Sequence, residues 1–246
     1  MSPLYDCRDE AQLLAGMRQA RQAVSRGRLI VIPTDTVYGI AANAFDARAV
    51  QALLDAKGRG RQSPPPVLVP GIPTLRALTA EVPAAVEQLV EAFWPGGLTI
   101  VLPAQPSLTW DLGETRGTVA VRMPAQRVAL ELLEETGPLA VSSANLTGLP
   151  AATTAEGARE MLGERVDVYL DAGPSEGGIA STIVDATALV GGSERVVRVL
   201  REGAIDRIRL RSILGDLLEP DPRAPDWSHM VDPGADEELD PANGRE

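Results

Sequence analysis

The stretch from Arg28 to Arg61 sets the terms for the whole chain, because an apolar strand, a polar turn, a helix and a basic loop follow one another in it without interruption. Leu29, Ile30, Val31 and Ile32 form a short apolar run that Pro33 ends. Thr34, Asp35, Thr36, Val37, Tyr38 and Gly39 come next, which puts hydroxyls where a buried strand emerges, the place where α/β sheets bind ligands. From Asp46, read as an N-cap, Ala49, Val50, Leu53 and Leu54 recur at helical spacing as far as Ala56. The chain then breaks into Lys57, Gly58, Arg59, Gly60 and Arg61. The strand-to-turn seam and the helix-to-loop seam of one such unit can face a single pocket.

Lys57 sharpens the second seam. Of the 23 Lys and Arg residues, 22 are arginine and Lys57 is the one lysine. An ammonium is a compact point charge that suits polyphosphate, whereas arginine presents a planar fork. The blander reading is a solvated helix C-terminus, where the helix dipole favours a cation. Both readings are open at this point.

The remaining periodicities predict helices over residues 9–26, 83–93, 126–136, 154–162 and 205–214. They predict strands near 67–69, 98–102, 118–122, 139–141, 168–170, 181–184 and 195–200. Pro64, Pro65 and Pro66 stiffen the loop after Arg61, and Trp94 reads as a packing anchor between a helix and a strand. Strands and helices alternate too irregularly for a pure βαβ series. The expected fold is therefore α/β, an open, twisted, mixed β-sheet with helices on its faces.

Composition narrows the function. With 44% hydrophobic residues the chain can fill a proper core, expected over residues 1–218 as one domain. The formal charge of −11 argues against a general nucleic-acid grip. Residues 219–246 hold nine acids against two bases and little apolar content, and read as an acidic, Pro-rich, disordered tail. One cysteine, Cys7, and one histidine, His229, exclude an internal disulfide, a zinc cluster and a Cys/His constellation. The N-terminus does not read as a secretory signal, no run approaches a membrane span, and a cytoplasmic home is expected.

Pro33-Thr34-Asp35-Thr36-Val37-Tyr38-Gly39, Lys57-Gly58-Arg59 and Ser143-Ala144-Asn145 resemble the YrdC/Sua5 family of L-threonylcarbamoyladenylate synthases, whose hallmarks are a Lys-x-Arg and a Ser-x-Asn. The likeness continues in order through Phe93-Trp94-Pro95-Gly96-Gly97-Leu98-Thr99, Val119-Ala120-Val121-Arg122-Met123-Pro124, Ser181-Thr182-Ile183-Val184-Asp185 and Leu200-Arg201-Glu202-Gly203. It implies the short form, without a C-terminal Sua5 domain. It also implies an enzyme that makes threonylcarbamoyl-AMP and pyrophosphate from L-threonine, bicarbonate or CO2, and ATP, for threonylcarbamoyladenosine in tRNA. A separate threonylcarbamoyl transferase complex would take the product, tRNA would be held weakly at most, and Mg2+ would accompany the polyphosphate without a protein cage.

By the same resemblance Lys57 and Arg59 are the catalytic pair on the ATP phosphates, and Ser63, Thr118, Ser143, Asn145 and Arg201 complete the ATP side. Thr34, Thr36, Arg122 and Ser181 would hold L-threonine, with Arg122 pairing its carboxylate through two parallel hydrogen bonds. Each has a plainer rival. Thr34 and Thr36 could only close a turn, Ser142, Ser143 and Asn145 could cap a helix, and Ser181 alone says little. Arg122 on an apolar strand needs an anionic partner in either case. Two positions depart from the pattern: Ser63-Pro64-Pro65 replaces a polar residue followed by Pro-Leu, with Arg61 as a substitute contact, and Leu68 replaces a histidine found in some members. The rival functions are an RNA-binding or ribosome-associated module with this fold, and a paralogue acting on another carbamoyl or acyl substrate.

Overall fold

The computed structural model describes residues 2–191 and 195–222. Its elements in chain order are β1 (Leu4–Asp6), α1 (Glu10–Ser25), β2 (Ile30–Ile32), β3 (Gly39–Asn43), α2 (Ala47–Lys57), β4 (Val67–Leu68), α3 (Ile72–Leu78), α4 (Ala84–Phe93) and β5 (Leu98–Pro103). There follow β6 (Thr118–Arg122), α5 (Arg127–Thr136), β7 (Leu139–Ser143), α6 (Ala155–Leu162), β8 (Val168–Asp171), β9 (Thr182–Asp185), β10 (Arg198–Arg201) and α7 (Arg207–Leu214). All these strands join one ten-stranded sheet in the order β1-β8-β2-β3-β7-β4-β6-β5-β9-β10. β8 runs parallel to β1 and β2, β4 to β6, and β5 to β9, while the other neighbours are antiparallel. This is the open mixed sheet with helices on its faces that the alternation of elements predicts.

The two halves of the sheet are covered differently. In β2, Ile30 and Ile32 pack with α1 and α5, while Val31 between them packs with α2 and α6. That half is buried on both faces, as period-two alternation allows when both sides are apolar. In the other half, Leu98, Ile100 and Leu102 of β5, Val119 and Val121 of β6 and Val184 of β9 pack with α3, α4 and α7. The residues between them point to the opposite face, which no helix fills among the described residues.

Local chemistry places the helices. Asp9, Asp46, Thr154 and Asp206 each accept a backbone N–H one turn into α1, α2, α6 and α7. Gly58 ends α2 at φ 62°, a left-handed position that costs glycine little. Trp94 lies in the core as predicted, its indole N–H donating to Leu98 O at 2.7 Å. Among the described residues no helix is long and apolar enough to cross a membrane.

Three elements escape the sequence pattern. β3 carries Gly39, Ala41 and Ala42 in place of large branched side chains, and lies between β2 and β7. A Cβ on Gly39 would stand 2.6 Å from Val141 Cγ1. α3 begins at Ile72-Pro73, where proline initiates a helix instead of breaking one, and β1 is three residues long. Of the stretch read as a tail, Glu219 is bonded to the body: its N–H donates to Val197 O at 2.9 Å and its carboxylate accepts from Val199 N at 2.8 Å. Residues 223–246 of that stretch lie outside the described residues.

Candidate active site

The uncovered sheet face holds a cavity of about 530 Å³. Thr99 and Val101 of β5, Thr118, Ala120 and Arg122 of β6, Ile183 of β9 and Arg201 of β10 line its floor. These are the residues that alternate with the core set, so one pattern builds both core and site. The ends of β2 and β7 supply Thr34, Thr36, Ser142 and Ser143, and the loop after α2 supplies Arg59 and Gln62. The two seams of the opening unit therefore do meet in one pocket.

Four guanidiniums line this cavity, those of Arg59, Arg116, Arg122 and Arg201, against the single carboxylate of Glu114. Arg59 donates to Ser142 Oγ at 3.1 Å. Arg201 is held by the Ser181 carbonyl, from Nε at 3.0 Å and Nη2 at 2.7 Å, and by Ser181 Oγ at 2.9 Å. These partners are neutral oxygens. Burial pulls both arginines below the ordinary guanidinium value, and the charges of Arg122 and Arg59 add to the effect on Arg201. All three remain cationic at neutral pH, and their mutual repulsion is relieved when an anion binds among them.

Lys57 does not line the cavity. It is 3% exposed and faces the back of the Ser143–Asn145 turn. Its ammonium donates to Ser143 O, to Asn145 O at 2.8 Å and to Asn145 Oδ1 at 3.1 Å, and its carbonyl accepts Thr147 N at 3.0 Å. Asn145 is spent in the same way, with Nδ2 donating to Leu146 O at 2.9 Å and Leu149 O at 2.7 Å. Lys57 and Asn145 thus fix the strand end that presents Ser143. Burial, helped by the Arg59 charge, pulls the Lys57 ammonium down to about 8. Ser63 is also absent from the cavity wall, where its neighbours Gln62 and Pro64 appear. Arg61 offers no substitute contact, because its Nη2 pairs with Asp111 at 2.7 Å on the outer surface.

At the other end the two motif threonines differ in what they can still do. Thr34 Oγ1 donates to Val37 O at 2.6 Å and receives Thr36 N at 3.2 Å. Since a hydroxyl has one proton, the 3.0 Å contact between the two hydroxyls must run from Thr36 to Thr34. Thr34 is then saturated within its own turn. Thr36 accepts from Arg122 Nη1 at 2.8 Å and keeps acceptor capacity for a donor in the cavity. Arg122, 5% exposed, finds its anionic partner in Asp35 at 2.6 Å. Ser181 Oγ lies 2.8 Å from Thr99 Oγ1, and Thr118 donates to Thr115 O at 2.7 Å beside the cavity.

Sequence reasoning missed Gln62, Glu114, Thr115 and Arg116 in the wall. The signal was present in Leu112-Gly113-Glu114-Thr115-Arg116-Gly117, a polar run directly before a strand that carries Arg122. The run is clasped to the basic loop: Glu114 N donates to Arg61 O at 2.9 Å, and a Cβ on Gly113 would stand 2.7 Å from that same oxygen.

Residues 22–203 match the family model Sua5/YciO/YrdC, described as telomere recombination. The chain belongs to this family. A Mycobacterium leprae relative is 52% identical over 215 residues, 87% of this chain and 95% of the relative. The threonylcarbamoyl-AMP synthase of Pyrococcus abyssi is 35% identical over 202 residues, 82% of this chain and 58% of that enzyme. The crystal structure of P. abyssi Sua5 complexed with L-threonine superposes with a TM-score of 0.79 at 32% identity, covering 89% of this chain and 63% of that one. Escherichia coli YciO superposes at 0.72 and 25% identity, with 98% of its length covered. The Sua5/YciO/YrdC chain described here thus has the length of the shorter relatives.

Proposed function

We propose that this protein is a threonylcarbamoyl-AMP synthase, and the observation that carries the reading is the convergence of Arg59, Arg122 and Arg201 on one cavity of the family fold. The free amine of L-threonine adds to CO2 and gives up a proton to solvent, leaving a carbamate; from bicarbonate the same carbamate forms with loss of water. A carbamate oxygen attacks the α-phosphorus of ATP, the bond to the bridging oxygen breaks, and pyrophosphate leaves with its electron pair. No side-chain nucleophile is required; apart from Glu114 and Gln62, the polar side chains of the wall are guanidiniums and hydroxyls. What the site supplies is placement of two anions and neutralisation of charge growing on the leaving group.

Arg59 and Arg201 take the phosphates, with Ser143 and Thr118 on the same side. Lys57 and Asn145 serve from behind, by fixing Ser143. Arg122, Thr36 and Ser181 take L-threonine, and the acceptor left on Thr36 suits an amine or hydroxyl proton. Among the described residues no group of three His, Cys, Asp or Glu side chains could cage a metal ion. Mg2+ would accompany the polyphosphate, and no step here depends on it. The mixed anhydride needs a threonylcarbamoyl transferase as acceptor enzyme, acting on tRNA.

Pyrophosphate release from ATP, with bicarbonate present and L-threonine added, omitted or replaced by L-serine, tests this. Release that depends on L-threonine and bicarbonate is expected. ATP binding without release would assign the cavity to another acyl or carbamoyl substrate, and absence of ATP binding would favour an RNA-binding module.

A further inference from the structure

Asp35 lies just behind the cavity wall and is a residue that neither the motif chemistry nor the proposed reaction uses. It rests on the synthase reading that Arg122 meets the carboxylate of L-threonine; given that, we propose that Asp35 is the positioning residue of the amino-acid end, aiming the Arg122 guanidinium at the ligand.

The geometry is over-determined. Arg122 Nε donates to Gly96 O at 2.9 Å, Nη1 to Thr36 Oγ1 at 2.8 Å and Nη2 to Asp35 Oδ1 at 2.6 Å. Each nitrogen of the fork is thus tied to a different residue, two of them neighbours in the turn after β2 and the third in the loop before β5, and each Nη keeps one N–H for a ligand. Two of the three acceptors are neutral. Asp35 alone compensates the charge, which burial disfavours and which faces the like charge of Arg201. Without that carboxylate the guanidinium would gain by turning out of the wall towards water.

Asp35 is itself held in place. Its Oδ1 also accepts Ala125 N at 2.9 Å, which ties it to the loop leaving β6. Its backbone is overlaid by the segment around Gly177, where a Cβ would stand 2.6 Å from Asp35 O. That segment is pinned in turn by Tyr38, whose hydroxyl donates to Gly173 O at 2.5 Å. The loop after β6 therefore holds the carboxylate directly, the segment around Gly177 lies against its backbone, and the carboxylate sets the arginine. The Asp35 side chain is 17% exposed and forms no part of the cavity wall, so its effect on the ligand runs through Arg122.

The test is steady-state pyrophosphate release by wild type, Asp35→Asn and Asp35→Ala, with KM measured separately for L-threonine and ATP and Tm recorded for each. Asp35→Ala is expected to raise KM for L-threonine about tenfold or more, the loss of one charge-assisted contact, with KM for ATP changed by less than about threefold. Asp35→Asn should recover part of this, since its amide oxygen can accept from both Arg122 and Ala125 but brings no charge to the guanidinium. An Asp35→Ala enzyme with unchanged KM for L-threonine overturns the inference. So does an equal rise in both KM values, or a Tm loss that Asp35→Asn shares without kinetic recovery. Wild-type protein whose release ignores L-threonine overturns the synthase reading, and the inference with it.

Discussion

At the scale of residues, charge and burial decide roles that residue type leaves open. Lys57 and Arg59 stand two positions apart, yet one braces a turn and the other faces the cavity. The type and spacing of Lys-x-Arg were legible in the sequence, but its facing was not, because this depends on where the end of α2 meets the end of β7. Two predictions separate the pair. Arg59→Ala should raise KM for ATP by about tenfold to a hundredfold, the range of a hydrogen bond to a charged group, with Tm little altered. Lys57→Met should lower both Tm and turnover, because it removes the ammonium from Asn145 O and Oδ1 and leaves Ser143 O with Asn145 N alone, at about 1–3 kcal/mol for each buried group left unsatisfied. The Lys57 ammonium titrates near 8 in the fold against 10.5 unfolded, so between those values the unfolded chain binds more protons. The stability of wild type relative to Lys57→Met should therefore rise with pH across that window and be flat on either side, which paired denaturant titrations would measure.

At the scale of elements, the hidden strands escaped for different reasons. β1 is too short to show a period, and β3 carries glycine and alanines where a strand pattern asks for branched residues, with close approach to Val141 at Gly39. Pro73 disguised α3, as a proline in a first turn looks like a breaker. Close approach also governs the Leu200–Gly203 block. A Cβ on Gly203 would lie 2.3 Å from Ala180 O and 2.6 Å from Ser181 O, and backbone cannot yield as a flexible side chain can. Gly203→Ala should therefore cost about 1–3 kcal/mol in stability, an overpacking penalty. It should also weaken ATP use beyond that, because Ser181 O is the acceptor that holds Arg201. Urea unfolding and KM for ATP would show both; a neutral substitution would mean that the 201–204 segment shifts freely.

At the scale of the whole molecule, the sheet divides into a half buried on both faces and a half with one face given to the cavity. The mixed α/β class was legible because the helices and most strands carry their periods openly. The strand order was not, since it brings β7 and β4 between β3 and β6 through contacts that no local pattern encodes. The contacts of Glu219 close the described body at its last strand, and we expect removal of residues 223–246 to leave Tm within about 2 °C. Calorimetry on the shortened chain would check this. The solitary lysine has a practical consequence at the same scale. Apart from the amino terminus, an amine-selective acylating reagent finds one target in the entire chain, and that target is sealed behind the Ser143–Asn145 turn. Label arriving at Lys57 would count the moments when the Ser143–Asn145 turn parts from the end of α2, so the protein carries its own clock for opening at that seam.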